Sequence, residues 1–283
     1  LIDSSGKLTV RTEYDEIGLF REGRLAVKRN GLWGYVNVDG VEVIPCRFEE
    51  VRPFSEGLAA VRIGRYWGFV DRLGELVIDL QYLKVGDFSE GVVLAYDGQK
   101  AGYLKADNQW HIQPQFDQAF DYYRGVARVV VEGEYGLIDT SGRYIEKPRY
   151  IKIAPFDAHG LSIVTYGNQQ VKYGVINLEG QMITGSAYRE ILSFSEGLAV
   201  VKDKESYGYI DTSGKVVIPL VFSKASSFSE GLAAVRKDGA CGYINQTGNP
   251  VVSYQFTKCM DYEDGRAVVY KGIRKAGLVD QNG

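Results

Sequence analysis

An all-β tandem-repeat fold is predicted by three observations in this 283-residue sequence. The first is composition. Beside 34 Gly and only 7 Pro stand 20 Tyr, 12 Phe and 3 Trp, the mixture expected of many short strands joined by tight turns. The second is self-similarity, since an aromatic-Gly pair recurs at near-constant spacing. The third is the pattern between the pairs: short apolar runs, with no helical periodicity sustained over ten or more residues.

The repeat has several registers. Trp33-Gly34, Trp67-Gly68, Tyr135-Gly136, Tyr173-Gly174 and Tyr207-Gly208 share one, together with Ala101-Gly102, Cys241-Gly242 and Ala276-Gly277. Successive glycines in it are 34, 34, 34, 38, 34, 34 and 35 residues apart. A second glycine follows six residues on (Gly40, Gly74, Gly142, Gly180, Gly214, Gly248, Gly283), with Asn108 in its place once. Aromatics occupy two further registers, from Phe48 and Phe54 in one unit to Phe256 and Tyr262 in the last. A third glycine, as in Phe54-Ser55-Glu56-Gly57, closes each unit. The partial first unit keeps the register with Gly6, Tyr14 and Phe20.

The stretch from Gly57 to Gly91 shows what one unit encodes. Leu58-Ala59-Ala60-Val61-Arg62 reads as a first strand, ended by the turn at Gly64-Arg65. Trp67-Gly68-Phe69-Val70 is the second. Asp71-Arg72-Leu73-Gly74 then makes a hairpin turn with glycine at the left-handed position. Leu76-Val77-Ile78 is the third strand, and Tyr82 to Phe88 is a short fourth strand or an extended loop. One such unit cannot bury both faces alone, so neighbours must stack.

Two arrangements satisfy that requirement. The preferred one is an eight-bladed β-propeller-like ring, with the small-residue strand Gly-Leu-Ala-Ala-Val innermost. The alternative is an open β-solenoid or superhelix, which needs polar capping repeats that neither terminus shows. The chain opens on Leu1, past a unit's Trp-Gly position, and ends on Gly277-Leu278-Val279-Asp280. In a ring, that offset would let C-terminal strands complete a blade begun at the N-terminus; a piece of a longer array would show the same ends. The whole of 1–283 reads as one repeat domain, with units bounded near Gly34, Gly68, Gly102, Gly136, Gly174, Gly208, Gly242 and Gly277.

The units resemble the WG-repeat (KWG-type) family of bacterial proteins. The likeness is carried by Leu32-Trp33-Gly34-Tyr35-Val36, Val43-Ile44-Pro45, Phe54-Ser55-Glu56-Gly57-Leu58-Ala59-Ala60-Val61 and Val216-Val217-Ile218-Pro219. Ala101, Cys241 and Ala276 depart from it at the Trp position, and Asp79, Gln113, Lys147 and Ser253 where Pro might stand. The resemblance implies repeat architecture and interaction work, and it supplies no catalytic residues.

Composition excludes several classes. With 33 Lys+Arg against 36 Asp+Glu the formal charge is −3, which argues against a general nucleic-acid binder. No apolar run is long enough for a transmembrane helix. The three cysteines, Cys46, Cys241 and Cys259, are odd in number and lack C-x-x-C spacing, so neither a disulfide scaffold nor a structural zinc is expected. Cys241 reads as a buried small hydrophobe. His111 and His159 have no partner at ligand spacing, no nucleotide or hydrolase fingerprint is present, and no cofactor is expected.

Most repeated polar residues have structural readings. Glu22, Glu56, Glu90, Glu196 and Glu230 each precede the same glycine and read as turn-forming, hydrogen-bonding groups. Asp39, Asp71, Asp107, Asp139, Asp211 and Asp280 read as Asx-turn residues. The Trp and Tyr before glycine read as packing between units rather than a binding rim.

Two features stand apart. In an antiparallel meander alternate turns project to opposite ends. The turns between first and second strands carry Arg29, Arg65, Lys100, Lys172, Lys204, Lys237, Arg274 and Lys275. The other end carries the Asp and Glu series with Glu179. A basic rim of this kind would attract an acidic protein, an anionic glycan or an anionic surface. The second feature is the 38-residue unit, whose extra residues fall around His159 and around Asn168, Gln169 and Gln170, a local candidate for partner contact. The leading expectation is a non-catalytic protein-protein interaction scaffold. Its alternatives are a carbohydrate or cell-envelope binding module, or a hydrolase whose carboxylates converge in a propeller channel. The compartment stays open.

Overall fold

Strands with buried apolar residues on both faces, such as those holding Leu25-Ala26-Val27 and Ala59-Ala60-Val61, lead to sheets that stack face to face. The computed structural model describes residues 14–283 apart from 168, 186, 273 and 274. Among the described residues all regular structure is β, arranged as eight antiparallel sheets of three or four strands, each strand paired to its sequence neighbour. This is the meander topology of a propeller blade.

The first two sheets show the plan. Strands β1 (Glu16–Arg21), β2 (Arg24–Arg29), β3 (Leu32–Val36) and β4 (Glu42–Phe48) form one sheet. Strands β5 (Glu50–Val51), β6 (Ala59–Ile63), β7 (Tyr66–Val70) and β8 (Leu76–Tyr82) form the next. The last strand of each, third in the sequence unit, is longer than the sequence suggested, because it runs on to the aromatic at Phe48 or Tyr82. The segment after that aromatic supplies a two-residue edge strand in the second sheet, Glu50–Val51, whereas its counterpart Val85 makes an isolated bridge to Ala95.

The long third strand fits only through a bulge. Trp33 pairs with Phe48 and Tyr35 with Ile44, so two residues on β3 span four on β4. The Ile44-Pro45-Cys46 segment therefore swings across Gly34, where a Cβ would lie 2.4 Å from the Ile44 carbonyl oxygen. Gly68 meets the Ile78 carbonyl in the same way at 2.5 Å. At Gly34, Gly68, Gly136 and Gly208 the glycine of the aromatic-Gly pair is thus required by close backbone approach rather than by a left-handed φ, whereas at Gly174 the nearest atoms are the Met182 and Thr184 side chains.

Contacts divide the chain into two compact units, Leu1–Pro148 and Arg149–Gly283. Within each, the core lies between successive sheets. In the first unit Ala26, Tyr35, Ile44 and Phe48 meet Phe54, Ala59, Val61 and Val70 of the following sheet. Ala60, Phe69 and Ile78, on the other face of that sheet, meet Phe88, Val93 and Leu104. The second unit repeats this, with Tyr209, Ile218 and Phe222 against Phe228, Ala233 and Val235. Small residues at Ala59 and Ala60 let the sheets approach, and each fully buried aromatic contributes about 2–3 kcal/mol by leaving water.

Candidate functional site

The Phe-Ser-Glu-Gly turn is where sequence neighbours are fastened together. Ser55 and Leu58 exchange both backbone hydrogen bonds, and Glu56 and Gly57 have φ of 53° and 83°. That is a two-residue turn of the kind normally built from Asn-Gly. Glu in the left-handed region carries a conformational cost, offset here by its side chain. The Glu56 carboxylate accepts the backbone N–H groups of Glu90 (2.7 Å) and Gly91 (2.8 Å), in the same turn of the next module. Glu22 does this for Glu56 and Gly57, and Glu230 accepts from Gly265. The amide pairs of Glu56-Gly57 and Glu90-Gly91 each form an anion nest filled by a carboxylate. The serine adds a second fastening, with Ser55 Oγ donating to the Phe88 carbonyl and Ser229 Oγ to that of Tyr262. The glutamates are hydrogen-bonding turn residues as the sequence suggested, but their partners lie one module away.

Further repeated polar groups are also committed to structure. The buried tyrosine after the aromatic-Gly pair donates its hydroxyl to a carbonyl of the next module: Tyr35 to Arg52, Tyr103 to Phe120, Tyr209 to Ser226 and Tyr243 to Met260. Burial pushes these four phenols well above the ordinary range. Their rings pack against the aromatic at the Phe54 register of the next module, with Tyr35–Phe54 centroids 4.9 Å apart. Asp71, Asp139 and Asp211 accept the amides two and four residues on, forming Asx turns. In the first module Asn37 does this instead of Asp39, and Asp107 and Asp280 accept only the amide two residues on.

The aromatics before glycine are half-buried and packed. Trp67 lies in the core between sheets with Arg52 and Arg62 over its ring at 5.6 and 5.9 Å. Trp33 carries Lys28, and Tyr207 carries Lys202.

The cations of the first hairpin are exposed or half-buried, and three of them have partners. Arg29 pairs with Glu42 at 2.6 Å and lies over Tyr14, Arg65 stacks on Tyr66, and Lys100 pairs with Asp117 at 2.5 Å. Asp117, Glu49 and Glu50 reach this end because the chain turns a corner after each long third strand. Arg62 donates to both Glu49 (3.1 Å) and Glu50 (2.5 Å). Lys204 and Lys237 make no ion pair among the described residues, although Asp203, Glu205 and Asp238 share their turns. The end is therefore of mixed sign rather than uniformly basic. Lys172 begins the strand Lys172–Ile176 and is exposed. Of the insertion residues, His159 is exposed in a loop capped by Asp157, and Gln169 and Gln170 are exposed beyond the strand Ser162–Tyr166. That five-residue strand sets His159 apart from the two glutamines by about 16 Å. Asn168 and Arg274 lie outside the described residues.

The cysteines correct the sequence reading. Cys241 and Cys259 are disulfide-bonded, with Cα atoms 6.1 Å apart, and only Cys46 is free. The bond joins the third strand of one sheet (Ala240–Asn245) to the edge strand of the next (Lys258–Cys259). Cys241 occupies the Trp position and Cys259 that of Val51, a pair that already packs in the first modules. Stacking, which the cysteine count does not encode, brings them together. Over the disulfide lies a cavity of about 290 Å³, bordered by Lys224, Arg236 and Lys258 and, among the described residues, lined by no carboxylate. Sequence reasoning missed these three cations; the signal was their coincidence with cysteine in place of tryptophan.

One acidic pair also crosses modules. Asp121 is held above the usual carboxylate range by desolvation and then by Asp87, while Arg52 and Arg128 oppose that shift. Arg52 pairs with Asp87 at 3.4 Å. Among the described residues no cluster of three or more His, Cys, Asp or Glu could hold a metal ion, and no helix is long and apolar enough to cross a membrane.

Comparison with solved structures finds matches at low sequence identity. A crystal structure of a eukaryotic initiation factor is 10% identical, with 92% of this chain and 83% of that one covered at a TM-score of 0.48. BamB from Moraxella catarrhalis is 10% identical over 90% and 93%, at 0.40. Hsv2 from Kluyvelomyces marxianus is 11% identical over 78% and 88%, at 0.41. No curated protein matches the sequence. The family described as WG containing repeat matches eight times in tandem, over 1–33, 33–66, 67–100, 102–135, 135–169, 173–205, 207–240 and 242–272. The chain belongs to the WG-containing repeat family.

Proposed function

We propose that this protein is a non-catalytic scaffold that holds a protein partner on the hairpin end of its modules. One observation carries the reading. The recurring polar groups, the Ser and Glu of the turn, the buried Tyr and the Asx residues, are engaged in holding modules or turns together. The freedom to differ lies in the hairpin turns, where Arg65, Lys204, Lys237 and the Gln169-Gln170 insertion are exposed. Loops on a rigid repeat are where individual recognition is placed.

A glycan-binding face has less behind it, since Tyr66 is 37% exposed and carries Arg65 over its ring. A hydrolase reading rests on Asp87 and Asp121, and there Arg52 and Arg128 place positive charge beside the pair. The test is affinity capture from the cell of origin with the chain as bait, repeated with R65E/K204E/K237E. Specific proteins recovered by the wild type and lost with the triple variant support the reading. Equal recovery with both baits removes the hairpin end from it, and capture of no protein by either removes the scaffold itself.

A further inference from the structure

The cavity above the Cys241–Cys259 disulfide has an internal counterpart that says what would fill it. In the second sheet, Arg62 is paired across the strands with Trp67 and with Glu50. Its guanidinium lies over the Trp67 ring at 5.9 Å and donates to Glu49 and Glu50. Ring, cation and carboxylates thus satisfy one another within the chain.

In the seventh sheet the same register pairs Arg236 with Cys241 and with Lys224. Cysteine stands where the ring was, and Ser223 and Lys224 where the two carboxylates were. Arg236 donates to the carbonyls of Gly239 and Thr257 instead. Lys258 adds a third cation from the next edge strand, 5.5 Å from the Tyr270 ring. None of the three cations makes an ion pair among the described residues. The result is a cavity of about 290 Å³ with an apolar floor of Ala225, Val235 and the disulfide under a cationic rim. That size suits a side chain rather than a large ligand.

We propose that this cavity receives an aromatic side chain from an acidic segment of a protein partner. The ring enters where Trp67 lies in the second module, and flanking carboxylates meet Lys224, Arg236 and Lys258 as Glu49 and Glu50 meet Arg62. An aromatic ring beside a guanidinium gains cation–π attraction, and carboxylate contacts at the rim add charge-assisted hydrogen bonds. The assignment rests on the scaffold reading and names the chemistry of its partner.

The probe is a fluorescein-labelled peptide Asp-Glu-Trp-Glu-Asp, titrated against the oxidised full chain by fluorescence anisotropy. Saturable binding is expected, weakened at least ten-fold by K224E/K258E, by replacing the probe's Trp with Ala, and by raising the salt. The exposed K224E/K258E pair leaves the disulfide and core in place. A second variant, C241W/C259V, refills the cavity with the residue types of the Trp33 and Val51 pair and is expected to abolish binding. Absence of saturable binding to the wild type overturns the proposal. So does unchanged affinity in K224E/K258E, or equal affinity for the Trp-to-Ala probe, which marks an anion site only. Affinity capture reports independently: a partner still captured without probe binding defeats this assignment alone, whereas probe binding without any captured partner defeats the scaffold reading.

Discussion

The carboxylate of Glu22 accepts the backbone N–H of Gly57 at 2.9 Å, thirty-five residues along the chain. Its other oxygen takes the N–H of Glu56, so one side chain fills the amide nest of the following turn. The same geometry recurs from Glu56 to Glu90 and Gly91. A residue type poorly suited to a left-handed turn is retained there because only its length and charge reach the neighbour.

Glu56→Ala is expected to cost about 1 kcal/mol, the low end for charged hydrogen bonds because the site is exposed. Glu56→Gly removes the same carboxylate but relieves the φ of 53°, and should lie closer to wild type. Urea denaturation of the two variants separates the staple from the turn. Equal and negligible losses would mean the carboxylate contributes nothing.

Two glycines should respond differently to alanine. A Cβ on Gly68 would lie 2.5 Å from the Ile78 carbonyl oxygen, so Gly68→Ala forces the bulged strand to move and is expected to cost about 3 kcal/mol. Gly57 has open space around it and a φ of 83°. Gly57→Ala therefore costs only backbone strain, about 1 kcal/mol. Thermal melts that rank them in the opposite order would refute the close-approach account.

Reduction of Cys241–Cys259 opens an 18-residue connection and should lower stability by about 3 kcal/mol on loop-closure entropy. Denaturation with and without dithiothreitol measures it, and the effect should fall on the Arg149–Gly283 unit. An unchanged midpoint in reductant would contradict this.

Acid should loosen the molecule. Glu22 is held below the usual carboxylate range first by its hydrogen bond from Arg72 and then by the Gly57 and Glu56 amides, and Asp139 and Asp211 by Ser141 and Ser213. Lowered folded-state values mean the unfolded chain binds more protons as pH falls. This stability is present above the ordinary carboxylate pKa and is lost as pH drops through the folded values. Asp121, shifted upward, has the opposite sign. The melting temperature should therefore fall from about pH 5 to pH 2, less steeply in Asp139→Asn. Asp121→Asn should raise it at pH 7, with an increment that vanishes below about pH 4. A pH-independent midpoint in this window would refute both assignments.

The repeat, its strands and its turns were legible in the sequence because each depends on local spacing. Gly74 with Asp71 announces its hairpin, and Ala59 and Val61 alternate as a strand must. What was not legible depends on adjacency between modules. Glu56 could be placed in a turn, but its bond to Gly91 appears only once the sheets stack. Glu49 and Asp117 were absent from the predicted basic end because the corner after Phe48 or Phe116 reverses which end they occupy. Cys241 and Cys259 meet for the same reason as Trp33 and Val51, which no cysteine count reveals.

The Glu and Ser fastenings all run in one direction, from a side chain to the backbone of the module that follows. Such a vectorial link is indifferent to how many modules lie before or after it. Excising or duplicating one whole period between Glu56 and Glu90 leaves every remaining carboxylate facing an equivalent pair of amides. Chain length can therefore change by unequal recombination without a new interface having to be invented.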